Sequence, residues 1–283
     1  MMFKAALVLE GGGMRGIYTA GILDFFLEQG LEFEKIYGVS AGSLNGANFV
    51  AKQKGRSLET STDYLGDDRR GSMKNIVKNG EFFNSDFLYN QVPNKLNPFD
   101  YKTFAQSKSQ LYAVLSNVTT GKPEYFLCRD MRRDMVYVRA SSSLPLLAKI
   151  ITIDGKKYLD GGICDSIPLR KSMEDGNEKN VVILTQHKGF VKQPSTQMGM
   201  NKFTYRNYPK FVTALEIRHL MYNNETKFVE KQQEVGNAFV IQPSVPLTVA
   251  RLEKDAEKVK ALYAQGYADA VGNYDKLMKY LQS

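Results

Sequence analysis

Cysteine and histidine are both scarce in this 283-residue chain, and each scarcity narrows the range of functions. The two cysteines, Cys128 and Cys164, are too few for a disulfide framework, so we expect reduced, structural thiols and a cytoplasmic protein. The two histidines, His187 and His219, lie in no convincing catalytic signature. A carboxylate therefore has to be considered as the base of any hydrolytic site.

Long apolar runs are also missing. No stretch approaches the roughly 18 uncharged apolar residues of a membrane-spanning helix, so any membrane contact is expected to be peripheral. Lys and Arg number 38 against 30 Asp and Glu, a net charge of +8. This excess favours anionic partners, such as an anionic membrane surface, although spare surface lysines would also explain it. Without an arginine-rich tract or a nucleic-acid motif, no nucleic-acid partner is expected. The oligomeric state is not indicated.

Apolar runs alternate with helical patterns along the first fifty residues. Strands are predicted at 5–10 and 35–39, and helices at 15–29 and 41–52. This order predicts an α/β fold in three layers, with a mainly parallel central sheet and helices on both faces. Further strands are predicted at 110–118, 124–127, 135–139, 150–153, 157–159, 181–185 and 239–241.

The rest of the chain divides by composition. Residues 55–107 are rich in aromatics and interrupted by prolines, which indicates an insertion that either caps the site or simply fills a side core. Residues 1–190 are predicted to form the main domain. Residues 191–283 are predicted to form a mainly helical C-terminal extension packed on the same domain, with a break in its first helix near Pro209.

Two glycine-rich clusters each follow a predicted strand and open a predicted helix. A serine flanked by glycines at such a turn holds its hydroxyl clear of the sheet, and a neighbouring glycine loop directs backbone N–H groups at a developing oxyanion. The pattern therefore indicates a serine hydrolase with Ser40 as the nucleophile. The first cluster consists of Gly11, Gly12, Gly13, Met14, Arg15 and Gly16, and the second of Gly38, Val39, Ser40, Ala41 and Gly42.

A third motif supplies a carboxylate. Asp160 follows a predicted strand and precedes Gly161 and Gly162, which permit close backbone approach. An Asp-Gly pair often marks only a turn, as expected for Asp154 and Gly155 in a hairpin. His187, after the strand at 181–185, is the alternative base, in which case the site would be a triad.

The three motifs, in this order, resemble those of the patatin-like phospholipase family. The family combines a glycine-rich oxyanion loop with a basic residue, a Gly-x-Ser-x-Gly elbow and a later Asp-Gly-Gly or Asp-Gly-Ala. Residues 140–145 (ASSSLP) are similar to its Ala-Ser-x-x-x-Pro stretch. The resemblance covers roughly residues 5–190, and the C-terminal third looks like the extra helical region of shorter bacterial members.

The resemblance implies a lipid acyl hydrolase with a Ser-Asp dyad and neither metal nor cofactor. Ser40 would attack the ester carbonyl of a lipid or fatty-acyl substrate, and Asp160 would take its proton and later activate water. Backbone N–H groups of Gly12 and Gly13 would bind the oxyanion, with that of Met14 as a third candidate. Arg15 would meet a phosphate or steady the loop.

Three other functions compete with hydrolysis. Gly11-x-Gly13-x-x-Gly16 matches the dinucleotide-binding spacing, with Glu32 or Glu34 as the ribose acid, but this hypothesis leaves the other two motifs unexplained. A non-catalytic lipid-binding or regulatory module would retain lipid binding with an unreactive serine. An acyltransferase would use the same dyad and pass the acyl group to an alcohol. Head group, acyl chain length and the position cleaved are not indicated.

Overall fold

The computed structural model describes residues 1–283 and contains one eight-stranded sheet with helices on both faces. The strands are β1 (Met2–Leu9), β2 (Glu32–Val39), β3 (Gln110–Asn117), β4 (Lys122–Cys128), β5 (Ile151–Ile153), β6 (Lys156–Asp160), β7 (Asn180–Ile183) and β8 (Ala238–Ile241). The helices are α1 (Ile17–Glu28), α2 (Ala41–Val50), α3 (Arg56–Thr62), α4 (Met73–Asn79), α5 (Tyr101–Gln106), α6 (Met131–Ser141), α7 (Leu169–Glu174), α8 (Met198–Thr204), α9 (Pro209–Glu234) and α10 (Ala256–Gln282). Gly13–Gly16 and Gly161–Ile163 form 3-10 turns, and Phe87–Leu96 is π-helical.

The sheet is parallel through its centre and antiparallel at one end. Strands β3, β2, β1, β7 and β8 run parallel to their neighbours in that order. Strands β4 and β6 pair antiparallel with β3, and β5 pairs antiparallel with β6. The predicted mainly parallel α/β architecture is therefore confirmed.

Alternate residues of the central strands point to opposite faces of the sheet, and each face is covered by helices. Leu7 and Leu9 of β1 belong to the large core that α1, α2 and α10 complete, whereas Val8 belongs to a smaller core with Leu169 of α7 and Tyr222 of α9. These strand residues are fully buried, which is why their sequence lacks polar alternation.

Helices α1 and α10 pack closely through two glycines. A Cβ on Gly21 would lie 2.1 Å from the Tyr263 carbonyl oxygen, and a Cβ on Gly266 would lie 2.0 Å from that of Tyr18. The contact is supported by a hydrogen bond of 2.6 Å from the Tyr18 hydroxyl to Asp269. The C-terminal helix is thereby fixed against the first helix of the chain.

The prediction of a strand at 135–139 is wrong, because these residues lie in α6. The helix begins after Asp130, whose side chain accepts a hydrogen bond from the Arg132 N–H. Met131, Asp134 and Val138 are buried along one side of the helix at spacings of three and four residues. The break near Pro209 is confirmed, because Pro209 begins α9.

The helices of this structure are not membrane-spanning segments: none combines the length and the apolar character needed to cross a bilayer.

Candidate active site

Ser40 lies in a sharp turn between β2 and α2, where its backbone adopts φ 54° and ψ −121°. A non-glycine residue in such a conformation costs on the order of 1–3 kcal/mol and has to be held by its surroundings. Its N–H donates to Ser141 Oγ at 2.8 Å, and its carbonyl accepts from Ser43 Oγ at 2.7 Å. The turn presents a hydroxyl at the N-terminus of α2, with only 8% of the residue exposed.

The glycines around Ser40 are needed because the backbone is crowded there. A Cβ on Gly38 would lie 2.6 Å from Ser43 Cα, and a Cβ on Gly42 would lie 2.4 Å from the Leu9 carbonyl oxygen. No larger side chain fits at either position without moving the main chain. Val39 and Ala41 complete the elbow, with Val39 fully buried.

Strand β3 brings Asp160 to Ser40. Val114 of β3 pairs with Val39 at the end of β2, and the next residue, Leu115, pairs with Asp160 at the end of β6. Because β4 occupies the other edge of β3, β2 and β6 must share one edge and meet end to end. The sequence separates Ser40 and Asp160 widely, but this register makes them neighbours.

Asp160 is only 2% exposed, and its two carboxylate oxygens have different surroundings. Oδ1 accepts the Gly162 N–H at 2.8 Å, whereas Oδ2 has no hydrogen-bond partner of good geometry. Burial raises the pKa of the carboxyl, and the nearby Ser40 hydroxyl and Arg218 oppose that rise. The Ser40 hydroxyl therefore lies close enough to influence the pKa of this carboxyl, but it makes no hydrogen bond of good geometry to Oδ2.

Close packing also explains the glycines after Asp160. A Cβ on Gly161 would lie 2.0 Å from the Val114 carbonyl oxygen, so β3 and this turn could not approach with any other residue there. A Cβ on Gly162 would lie 3.1 Å from Asp160 Oδ1. Gly161 therefore lets this turn, and with it the carboxylate, lie against the middle of β3, where β2 ends.

The glycine loop after β1 runs beside the elbow. A Cβ on Gly11 would lie 3.1 Å from Ser40 Cβ, and a Cβ on Gly16 would lie 2.7 Å from Ala41 Cβ. The backbone N–H groups of Gly12 and Gly13 donate no hydrogen bond within the protein. Two unengaged donors therefore lie in the loop next to the serine.

Met14 and Arg15 differ from those glycines, because their N–H groups are already engaged. The Met14 N–H donates to the Arg251 carbonyl at 3.1 Å, and the Arg15 N–H donates to the Gly12 carbonyl at 3.3 Å. Of the four N–H groups from Gly12 to Arg15, only those of Gly12 and Gly13 are therefore free to bind a ligand. The Arg15 side chain is half-buried, and its Nε lacks a hydrogen-bond partner.

A cavity of about 300 Å³ opens above Ser40. Residues 55–107 supply much of its apolar wall, including Tyr64, Phe82, Phe83 and Leu88. The insertion also touches the glycine loop, because Arg70 Nη2 lies 3.0 Å from Met14 Sδ. The cavity thus has polar groups near Ser40 and apolar side chains along its wall, a combination typical of small-molecule binding sites.

Neither histidine hydrogen-bonds to Ser40 or Asp160. His187 Nδ1 contacts the Lys188 carbonyl oxygen at 2.8 Å, and His219 Nδ1 contacts that of Glu216 at 3.0 Å. His187 lines a different, smaller cavity. No group of three or more His, Cys, Asp or Glu side chains is arranged to hold a metal ion.

Two arginines from the C-terminal part of the chain also reach the site. Arg218 of α9 donates from Nε to the Gly162 carbonyl at 2.6 Å, and Arg251 lines the cavity that contains Ser40. Sequence reasoning missed both, because neither belongs to a local motif. The excess of positive charge was the only signal that pointed toward them.

Comparison with known protein families gives two matches. The model of the patatin-like phospholipase family matches residues 7–171, and that of a domain of unknown function, DUF6363, matches residues 208–282. The first match contains the elbow, the glycine loop and Asp160. The second contains Arg218 and Arg251.

Similar proteins occur in bacteria and fungi. The chain is 29% identical over 250 residues to the uncharacterized protein YjjU of Escherichia coli K12, covering 86% of this chain and 70% of that protein. It is 32% identical over 178 residues to lysophospholipase nte1 of Aspergillus terreus, covering 58% of this chain but only 11% of the fungal protein. Among solved structures, VipD from Legionella pneumophila aligns over 98% of this chain and 66% of that chain, with a TM-score of 0.46 and 15% identity.

Proposed function

The chain belongs to the patatin-like phospholipase family, and from this premise we propose that it hydrolyses lipid acyl esters with Ser40 as nucleophile and Asp160 as base. The observation that carries the proposal is the pairing along β3. Adjacent residues of that strand, Val114 and Leu115, hold the ends of β2 and β6. The serine elbow and the buried carboxylate are thereby kept together by backbone hydrogen bonds.

In the first step, Ser40 Oγ attacks the ester carbonyl carbon while its proton passes to Asp160. Negative charge develops on the carbonyl oxygen, and the N–H groups of Gly12 and Gly13 are available to receive it. Each such donor contributes about 3–4 kcal/mol in comparable enzymes. The N-terminal end of α2, which begins at Ala41, adds a favourable dipole.

The tetrahedral intermediate then collapses to an acyl-serine, and the leaving alcohol takes the proton from Asp160. In the second half, Asp160 removes a proton from water, and the water oxygen attacks the acyl-serine carbonyl. As the bond to Ser40 Oγ breaks, Asp160 returns that proton to Oγ, which releases the fatty acid and restores the Ser40 hydroxyl. Burial, which raises the pKa of Asp160, makes the carboxylate a stronger base than an exposed aspartate.

The cavity supports an acyl ester as the substrate class. Its aromatic and aliphatic wall, contributed by residues 55–107, suits a hydrocarbon chain, whereas the polar groups converge on Ser40. The A. terreus relative is named a lysophospholipase, which agrees with this class. The matched segment covers only 11% of the fungal protein, so we do not assign that protein's whole activity to this chain.

The test is turnover of p-nitrophenyl butyrate and of a lysophospholipid by four proteins: wild type, Ser40→Ala, Asp160→Asn and Asp154→Asn. We expect Ser40→Ala and Asp160→Asn to lower kcat by about 1000-fold or more, because each removes a group that bonds or transfers a proton in the transition state.

Asp154→Asn is the matched control. Asp154 also precedes a glycine, but it lies in the exposed β5–β6 turn with φ 48°, a conformation that asparagine tolerates. Its activity should equal that of the wild type. An inactive wild type that still binds lipid would favour a non-catalytic lipid-binding module, and acyl transfer to an added alcohol in preference to water would favour an acyltransferase.

A further inference from the structure

The serine-rich end of helix α6, within residues 140–145, contacts both members of the proposed dyad. Ser141 is the last residue of the helix and is fully buried. Its Oγ accepts the Ser40 N–H at 2.8 Å, and the Ser143 carbonyl accepts the Asp160 N–H at 2.8 Å. One helix end is therefore bonded to the main chains of the nucleophile and of the base, which the sequence separates widely.

This end of α6 is itself held firmly. The Ser143 N–H donates to the Ala140 carbonyl at 3.1 Å, and its Oγ donates to the Arg139 carbonyl at 2.8 Å. Val138 and Ala140 belong to the large core, which anchors the helix against the sheet. The Ser141 hydroxyl and the Ser143 carbonyl thus have defined positions from which the two dyad residues can be oriented.

The main-chain groups of Ser40 are held by unequal numbers of bonds. Its carbonyl accepts from Ser43 Oγ at 2.7 Å, from the Ser43 N–H at 2.9 Å and from the Leu44 N–H at 3.3 Å. Its N–H donates to the Ser141 hydroxyl. Loss of one donor to the carbonyl would leave two others, whereas loss of the Ser141 hydroxyl would leave a buried N–H without a partner.

The conformation of Ser40 makes that single bond important. At φ 54° the backbone is strained, and it persists only because neighbouring groups hold it. A buried N–H without an acceptor adds a further cost. Without the Ser141 hydroxyl, both costs would favour rotation of Ser40 toward an ordinary backbone conformation, and this rotation would displace Oγ.

We propose that Ser141 is a positioning residue, whose hydroxyl holds the strained main chain of Ser40 so that Oγ faces the cavity and Asp160. The inference rests on the proposed function and deepens it, because it adds a buried side chain on which nucleophilic attack depends. Ser141 touches no reacting atom. A displacement of about 1 Å at the reacting atoms can cost about 100-fold in rate, so loss of this hydroxyl should slow the attack rather than weaken substrate binding.

A merely structural role for Ser141 would give a different result, and Ser172 of α7 provides the matched comparison. Ser172 is also fully buried, and its Oγ donates to Asn180 Oδ1 at 2.6 Å. It does not line the cavity that contains Ser40. Ser172→Ala therefore removes a buried, hydrogen-bonded hydroxyl, as Ser141→Ala does, but leaves the elbow intact.

The test compares wild type, Ser141→Ala and Ser172→Ala by the rate constant of fluorophosphonate labelling and by turnover of p-nitrophenyl butyrate. Urea unfolding reports the stability of each protein. We expect Ser141→Ala to label about ten-fold or more slowly and to lose kcat to the same extent, with KM within about two-fold of the wild type. Ser172→Ala should be less stable than the wild type but should label at the wild-type rate.

The acid side of the pH profile gives a second readout. The Ser141 hydroxyl bonds to the main chain of Ser40 and not to the Asp160 carboxyl, so Ser141→Ala should keep the wild-type midpoint. General loosening of the site would expose Asp160 and move the midpoint to lower pH, because burial raises the pKa of that carboxyl. A shifted midpoint would therefore overturn the positioning role.

Ser141→Cys is the second variant, because it nearly keeps the side-chain volume while offering only a weak acceptor. It should fold and still label more slowly than the wild type. Wild-type labelling rates in both Ser141 variants, or an equal loss in Ser172→Ala, would overturn the proposal. An unlabelled wild type would contradict the hydrolase function itself, and the positioning role with it, so the two failures are distinguishable.

Discussion

The two sides of the candidate active site are built by different means. The side that carries the motifs consists of short turns at strand ends, where backbone hydrogen bonds and crowded glycines fix Ser40 and Asp160. The side from the C-terminal part consists of long cationic side chains delivered by α9 and by the segment between β8 and α10. The two sides thus differ in what reaches the site: main-chain turns on the side that carries the motifs, and long side chains on the C-terminal side.

The C-terminal part is nevertheless not loosely attached. Strand β8 extends the central sheet by pairing with β7, and α10 lies against α1 through Gly21 and Gly266. The Arg251 carbonyl also fixes the glycine loop by accepting the Met14 N–H at 3.1 Å. The cations can therefore be held at fixed positions relative to the serine.

The largest expected effect concerns the side that carries the motifs, and it is pH dependence. The base must be ionised, and burial raises the pKa of Asp160, so kcat/KM for any ester should fall by about ten-fold per pH unit below that raised value. Because the protonated carboxyl cannot accept the Ser40 proton, this acid decline should be the same for a phosphate-bearing lipid and for a neutral ester.

Rate profiles for lysophosphatidylglycerol and monopalmitoylglycerol between pH 4 and 9 would check this prediction. Asp160→Asn should be nearly inactive at every pH, whereas Asp154→Asn should keep the wild-type profile. A kcat/KM that stays constant from pH 7 down to pH 4 would contradict Asp160 as the base.

A smaller effect concerns the contact that joins the two regions. Gly266→Ala should lower the free energy of unfolding by about 1–3 kcal/mol, because its Cβ would lie 2.0 Å from the Tyr18 carbonyl oxygen. Gly272→Ala on the same helix meets nothing within 4 Å and should raise it by about 0.5–1 kcal/mol through helix propensity. Urea unfolding followed by circular dichroism measures both, and changes of the same sign would argue against the close α1–α10 contact.

The smallest expected effect is that of His187→Ala. His187 contacts Lys188 and lines a separate cavity, so its loss should leave kcat for p-nitrophenyl butyrate within about two-fold of the wild type, as for ordinary surface substitutions. Steady-state turnover checks this. A loss comparable to that of Asp160→Asn would require a triad and would weaken the dyad.

The parts of the site that sequence could predict are those fixed by local geometry. Gly38 and Gly42 are necessary because their surroundings leave no space for a side chain, and such glycines leave a short pattern around Ser40. Asp160 could be named because Gly161 and Gly162 mark its turn in the same way. The hairpin at Asp154 and Gly155 is likewise confirmed, with both residues at positive φ.

The parts that could not be predicted depend on long-range packing. Nothing near Arg251 in the chain indicates that its carbonyl would engage Met14, and nothing near Arg218 indicates a bond to Gly162. Residues 135–139 look strand-like because Val136, Tyr137 and Val138 favour strands, but Asp130 caps a helix and burial follows the helical spacing. Tertiary contacts decided the first two cases, and a local helix cap together with burial decided the third.

The most direct measurement is labelling with a fluorophosphonate probe, read by intact mass and peptide mapping on wild type, Ser40→Ala and Asp160→Asn. The account predicts one adduct on the wild type, located on Ser40, no adduct on Ser40→Ala, and strongly slowed labelling of Asp160→Asn. An unlabelled wild type, or an adduct that persists in Ser40→Ala, would contradict the claim that Ser40 is the nucleophile of this protein.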